Sequence, residues 1–529
     1  MPAPLPLDSA ERNSPLLARL LALRSSDRVA LIDPRGSVTF QAVAERACQI
    51  AAQLSQQGLA GCRVALSSSP DREWVEAFWG ILLAGSSVVP ISPLHPAPER
   101  DYFLRRSGAR AQLVSAGLAS SLPEGAVPRL VFEAGRLLGQ LSPAAPELPA
   151  ALPPAALLLY TSGTTGQPKG VPLSHGNVWA GIETLSRDWG ISSADRLLHA
   201  LPLHHVHGII VALLCAFCSG ASTELLPRYE PARVLEALAR ASVLMSVPTQ
   251  HKRLIDHLDG LPAAERAMHE RSLRALRLIT SGSAKLPEQL GRRLEALSGQ
   301  YPLERYGMTE IGIVIGNPLA ASGRKPGSCG RPLPGMQIRI VDEAGVEIPP
   351  AVAAERQSGE IWVSGASVFE GYDGEPEATR GAFAAGFFKT GDTARWTPDG
   401  FVEILGRTSV DIIKSGGYKL SAIEIEEQLR GHPWVNDVAV LGVPDDTWGE
   451  RVVAVAIPSP SARRELDQRD PLEVGEELRG WLKQRMAGYQ VPKHIAWWTE
   501  LPRNALGKVQ KPELLKRWLQ LDATAGGRE

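Results

Sequence analysis

The 529-residue chain is poor in cysteine, in excess charge and in long apolar runs. Its five cysteines are Cys48, Cys62, Cys215, Cys218 and Cys329. So sparse and odd a set builds no disulfide framework, which favours a reducing compartment. Cys215 and Cys218 form a CxxC, but no second CxxC completes a metal site, so both read as buried core thiols. Lys plus Arg is 56 against 57 for Asp plus Glu, a net charge of -1. No global positive field exists to steer a nucleic acid or an anionic membrane, so neither is expected as a partner. The longest apolar run, Ile209 to Cys218, is about half of the ~20 residues that a membrane helix needs. The first residues, MPAPLPLDSAERNSPLLARLLALRSSDR, lack a basic start followed by an apolar stretch, and Asp8 and Glu11 argue against a transit peptide. A cytoplasmic location is the expectation. The sequence carries no signal of oligomeric state.

What is present suffices for more than one core: 44% of residues are hydrophobic and 21% charged. Length suggests roughly three to four units of ~150 residues. Two compositional breaks divide the chain. Ser142 to Ala156, SPAAPELPAALPPAA, reads as a surface connection with neither a regular helix nor a central strand. Gly406 to Gly417, GRTSVDIIKSGG, is small, polar and glycine-rich. Before it, strands are predicted at Arg28–Ile32, Cys62–Leu66, Ser87–Ile91 and Leu130–Phe132, separated by helices such as Phe40–Gly58 and Asp71–Gly80. That alternation favours a mostly parallel sheet with helices on its faces. After it, a helix over Ala422–Leu429, strands over Val438–Val443 and Val452–Ile457, and an amphipathic helix over Leu472–Met486 make a compact α+β unit.

The strongest local signal is LLLYTSGTTGQPKG, Leu157 to Gly170. A strand-like run ends in Thr161, Ser162, Gly163, Thr164, Thr165 and Gly166. Glycines let successive backbone N–H groups curl toward an anion, the hydroxyls add donors, and Lys169 adds a point charge. This is the chemistry of triphosphate binding, although the spacing is not GxxxxGK[ST].

The string resembles the signature of the adenylate-forming superfamily, which holds acyl-CoA synthetases, firefly luciferase and the adenylation domains of peptide synthetases. Further matches follow in that family's order: LPLHHVHG at Leu201–Gly208, VPT at Val247–Thr249, YGMTE at Tyr306–Glu310, TGD at Thr390–Asp392, Gly406 with Arg407, and PRNALGK at Pro502–Lys508. The resemblance covers nearly the whole chain. It implies an α/β fold: a large N-terminal body of several subdomains over residues 1–410, with a small mobile α+β lid over 411–529. It also implies a two-step ligase using ATP, Mg2+ and coenzyme A, in which an acid is adenylated and a thiol then takes the acyl group. On that resemblance the loop Thr161–Lys169 holds the β and γ phosphates, and Thr309 contacts the α-phosphate. Glu310 ligates magnesium, Asp392 accepts the ribose hydroxyls, and Arg407 donates to the ribose. Lys508 reaches the adenylate from the lid, where it stabilises developing charge. Asp411 is the pivot, Gly416 and Gly417 face the thioester-forming site, and His205 stands at the acyl pocket.

A metal reading of His204, His205 and His207 is disfavoured, because two of them are too close to share one helix face and acidic partners are missing nearby. The acid itself is narrowed by two features. Arg305 immediately precedes YGMTE; an unpaired guanidinium is costly in an apolar pocket but binds a spare carboxylate bidentately. Pairing of Arg305 with Glu304 or another carboxylate stands as the alternative. The crossing GRTSVDIIKSGGYKL carries one more residue between Arg407 and Asp411 than the common GRxxD form. It closely resembles the malonyl-CoA and methylmalonyl-CoA synthetases. That resemblance implies a malonyl-CoA synthetase, with methylmalonate a second substrate. The competing readings are a medium- or long-chain fatty acyl-CoA synthetase and a stand-alone adenylation protein that loads a separate carrier. A non-catalytic binder is disfavoured, since it has no need of Lys508.

Overall fold

The computed structural model describes residues 14–138, 155–161, 167–350, 357–503 and 508–525. The predicted strands form at Val29–Asp33, Arg63–Ser67, Ser87–Pro90 and Arg129–Glu133, and the helices at Phe40–Gln56 and Arg72–Leu83. Side chains start both helices. Thr39 Oγ1 accepts from the Ala42 N–H at 3.1 Å, and Asp71 Oδ1 from the Glu73 N–H at 3.0 Å, each satisfying a donor that the first turn leaves unpaired. The second helix is buried from Arg72 through Leu82. It crosses the first at Gly80, where a Cβ would lie 2.7 Å from Ile50 Cβ.

Two large sheets build the body. In one, strands Arg129–Glu133, Ala111–Ser115, Arg63–Ser67, Ser87–Pro90 and Ala155–Thr161 run parallel in that order, flanked by antiparallel edges. In the other, Leu303–Met308, Leu278–Ser281, Val243–Ser246, Arg196–His199, Ser222–Leu225 and Val29–Asp33 run parallel. One apolar core lies against both, with Phe217 contacting Phe40 at 4.9 Å and Trp79 at 5.4 Å between ring centroids. A third, antiparallel sheet contains Gly359–Ser364, Phe387–Trp396 and Val402–Arg407. The C-terminal unit is a sheet of Tyr418–Ser421, Ile412–Ser415, Gly449–Pro458, Val435–Asp445 and His494–Trp497. Ala422–Arg430 and Pro471–Lys483 cover one face and Lys511–Ala525 the other.

Parallel strands leave their carboxyl ends on one side, and ligands of α/β sheets collect there. Here Ser68–Pro70, Ile91–His95, Ala200–His207, Val247–Gln250 and Thr309–Glu310 all follow such ends and line one cleft.

One expectation needs correction, and two stretches gain structure that composition did not specify. The Pro/Ala connection does not extend through Ala156: Ala155 and Ala156 open the strand Ala155–Thr161, and residues 142–154 lie outside the described residues. The glycine-rich crossing contains a strand, Ile412–Ser415, which hairpins onto Tyr418–Ser421 through Gly416 and Gly417 at φ +57° and +81°. Glycine fits such a turn because positive φ costs it no Cβ clash. The apolar run before Cys215 is a π-helix over His207–Leu214, and Cys215 and Cys218 are buried as expected. No helix among the described residues is long and apolar enough to cross a membrane.

Candidate active site

The cleft between the body and the C-terminal unit encloses ≈ 3130 Å³. Thr161 and Lys169 line it from paired positions on adjacent antiparallel strands, so the ladder brings together the two ends of the glycine-rich segment expected to hold phosphates. Ser162, Gly163, Thr164, Thr165 and Gly166 lie outside the described residues. Lys169 Nζ stands 4.9 Å from the centre of the Tyr372 ring, and the Tyr372 hydroxyl donates to Glu310 Oε1 at 3.1 Å.

Thr309 and Glu310 form the turn that joins Leu303–Met308 to Gly312–Gly316, and both line the cleft. The turn is tight: a Cβ on Gly307 would lie 2.0 Å from the Gly312 carbonyl oxygen. Glu310 is buried, and its Oε2 has no hydrogen-bond partner among the described residues. Burial raises its carboxyl above the usual range. A buried carboxylate oxygen left without a donor is the kind of group that a hard cation satisfies, so the site fits a magnesium ion.

Sheet register brings together the residues expected on the ribose side. Asp392 and Arg407 are partners across the ladder, with Arg407 Nε 3.4 Å from Asp392 Oδ1. The Tyr306 hydroxyl donates to Asp392 Oδ2 at 2.6 Å. Burial raises the Asp392 carboxyl, against the pull of Arg407 and of that hydroxyl. Lys508 lines the same cleft from the C-terminal unit, and its charge acts on both Asp392 and Asp411. Asp411 spans the crossing. Its Oδ2 accepts from the Arg407 N–H at 2.9 Å, and its Oδ1 meets Lys511 Nζ at 2.6 Å. Burial works against its charge, yet Lys511 holds the carboxyl below its ordinary value. Gly416 and Gly417 do not line the cleft in this arrangement; Gly416 instead backs onto the Trp448 ring.

Arg305 is buried in the cleft wall. Its Nη2 donates to His207 Nε2, and its plane lies 6.0 Å from the Trp189 ring. A guanidinium only donates, so His207 Nε2 accepts and Nδ1 carries the proton, which it gives to Ser283 Oγ at 3.1 Å. Burial drives the His207 ring well below its ordinary value, which keeps it neutral and able to accept. Burial also pushes Arg305 down to about 9, so it stays charged at neutral pH. Among the described residues Arg305 makes no ion pair, and its Nε has no hydrogen-bond partner. The alternative of a pair with Glu304 therefore fails: the two point to opposite faces of one strand, and Glu304 accepts from the Gly327 N–H at 3.3 Å.

His205 lines the same cleft but packs on His204, 4.1 Å between ring centroids, rather than on Arg305. Burial pushes it down to about 4, so it is neutral. No group of three or more His, Cys, Asp or Glu side chains that could hold a metal ion occurs among the described residues. Four side chains to which sequence reasoning assigned no site role also line the cleft. His207 and Tyr306 stood inside motifs already singled out, Ser283 follows a strand end, and Tyr372 had no local signal.

Residues 20–373 match the AMP-binding enzyme family, and residues 424–508 match the AMP-binding enzyme C-terminal domain. The chain belongs to the AMP-binding enzymes. Among curated relatives of this AMP-binding enzyme, the mitochondrial malonate–CoA ligase ACSF3 of Homo sapiens is 37% identical, across 97% of this chain and 93% of its own length. The malonate–CoA ligase of Arabidopsis thaliana is 35% identical, across 87% and 78%. Among solved structures, ATP-bound MatB from Rhodopseudomonas palustris is 32% identical with a TM-score of 0.82, covering 96% of this chain and 99% of that one. o-Succinylbenzoate CoA synthetase (MenE) from Bacillus subtilis, solved with its acyl-adenylate intermediate, is 28% identical with a TM-score of 0.78, over 95% and 98%.

Proposed function

We propose that this AMP-binding enzyme is an AMP-forming malonate–CoA ligase that also accepts methylmalonate. The observation that carries the reading is Arg305: a charged guanidinium buried in the cleft wall, hydrogen-bonded to neutral His207 and without a carboxylate among the described residues. A buried cation costs several kcal/mol unless an anion meets it, roughly ~3–5 kcal/mol when its partner is taken away. A dicarboxylic acid supplies that anion after its other carboxylate has reacted. The apolar tail of a fatty acid does not. The relatives named for malonate support the same choice.

One carboxylate of malonate attacks the α-phosphorus of ATP, and pyrophosphate leaves. The coenzyme A thiol then loses its proton, attacks the acyl carbonyl and displaces AMP. The loop Thr161–Lys169 holds the terminal phosphates, Thr309 contacts the α-phosphate, and Asp392 with Arg407 fixes the ribose. Glu310 would hold a magnesium ion, which neutralises phosphate charge when bound. Lys508 offsets the charge that develops at the adenylate oxygens. His205 closes the acyl pocket. The boundary falls at 410/411, and a turn of the C-terminal unit about Asp411 brings Gly416 and Gly417 to the thioester-forming face. Five unpaired cysteines support a reducing, cytoplasmic setting.

Arg305→Ala tests the substrate. Its kcat/KM on malonate falls by roughly 2–5 kcal/mol in transition-state stabilisation, the usual result of truncating a buried charge contact. Wild-type kcat/KM on malonate in this variant would overturn the assignment.

A further inference from the structure

The segment Gly371–Tyr372–Asp373 is anchored more firmly than a loop needs to be. Gly371 has φ +156°, and a Cβ there would lie 2.5 Å from Thr379 Cγ2, so only glycine lets the chain pass. The Tyr372 N–H donates to Thr379 Oγ1 at 2.9 Å. The Asp373 N–H donates to the Gly170 carbonyl at 2.9 Å, and its carboxylate takes both Arg63 nitrogens at 2.6 and 2.8 Å. Phe369, whose N–H donates to the Glu310 carbonyl at 2.8 Å, braces the Tyr372 ring edge-on at 4.9 Å between centroids. The phosphate-loop exit at Gly170 and the turn at Glu310 are thus stapled to one short segment.

The side chain held this way touches two groups of opposite charge. The Tyr372 hydroxyl occupies Glu310 Oε1, while Glu310 Oε2 has no partner among the described residues. The Tyr372 ring face carries Lys169 Nζ. An ammonium over a ring face keeps its charge and its N–H donors, because the ring supplies only a quadrupole. We infer that Tyr372 is a positioning residue for the metal–triphosphate complex: its hydroxyl leaves one oxygen of Glu310 for the cation, and its ring sets Lys169 toward the phosphates. This rests on the reading of Glu310 as the magnesium ligand.

The two contacts separate experimentally. Tyr372→Phe keeps the ring and loses the hydroxyl; Tyr372→Leu loses both. ATP is titrated calorimetrically into each variant with and without Mg2+, and pyrophosphate exchange is followed against Mg2+ concentration. Losing a group that orients a metal ligand costs about 10–100-fold in metal affinity, so Tyr372→Phe raises the Mg2+ half-saturation by about 10-fold with metal-free ATP affinity unchanged. Tyr372→Leu weakens metal-free ATP as well. A merely structural tyrosine would move both quantities together or neither, and thermal unfolding confirms which variants are folded. Glu310→Gln serves as the reference. If it shifts the Mg2+ dependence while folded Tyr372→Phe does not, the role of Tyr372 is overturned. If Glu310→Gln leaves the Mg2+ dependence unchanged, the magnesium reading of Glu310 falls, and the role of Tyr372 with it.

Discussion

Arg305 and Glu304 are neighbours on one strand and are buried by opposite faces. Arg305 keeps its charge beside a neutral histidine, and burial pushes Glu304 up to about 8. That difference has a consequence for stability. An unfolded glutamate titrates near ~4.3, so between there and about 8 the folded chain holds a proton on Glu304 that the unfolded chain has released. The folded state then binds more protons, and stability falls as pH rises, by up to ~1.4 kcal/mol per pH unit for this one group. Glu304→Gln removes the titration. The urea midpoint of the wild type should therefore drop relative to Glu304→Gln between pH 5 and pH 8. A constant gap between the two would show that Glu304 does not titrate in this window. At this scale Arg305 was legible because it abuts YGMTE. Its partner was not: His207 lies in a different motif, and only parallel packing of Arg196–His199 and Leu303–Met308 in one sheet brings the two together. Tyr372 was illegible for the same reason, since its contacts at Glu310 and Lys169 come from two other sheet edges.

Among the elements, the βα alternation was readable because buried parallel strands are short continuous apolar runs and the helices between them keep their own period. What escaped the reading was structure that local composition disguises. Ile412–Ser415 is a strand despite its polar, glycine-rich surroundings, because Ile412 and Ile413 sit in a ladder with Tyr418–Ser421. The π-helix at His207–Leu214 is apolar throughout after His207 and so shows no amphipathic period. Helix crossing is equally a property of pairs of elements. Gly80 lets Arg72–Leu83 rest against Ile50, and the methyl of Gly80→Ala would fall 2.7 Å from both Ile50 Cβ and Cγ2. Extra volume in so tight a contact costs ~1–3 kcal/mol, so Gly80→Ala should lower the urea midpoint with an unchanged m-value. An unshifted midpoint would mean that the two helices are free to separate.

The whole molecule is a body with a large cleft and a smaller unit that reaches into it. Asp411 has one carboxylate oxygen on the backbone of the body and the other on Lys511 of the C-terminal unit. The charges divide along the cleft accordingly: Lys169 and Glu310 at one part, Asp392, Arg407 and Lys508 at another, and Arg305 in the wall. A net charge of -1 conceals that division, which is why motifs rather than composition pointed to it. The central claim is that the spare anion of a dicarboxylate completes the Arg305 site. It is tested most directly by ATP-dependent acyl-CoA formation with malonate, methylmalonate, acetate and octanoate under one set of conditions. If Arg305 holds the spare carboxylate, kcat/KM is highest on malonate, methylmalonate is turned over, and acetate and octanoate give little product. Equal or better kcat/KM on octanoate would contradict it.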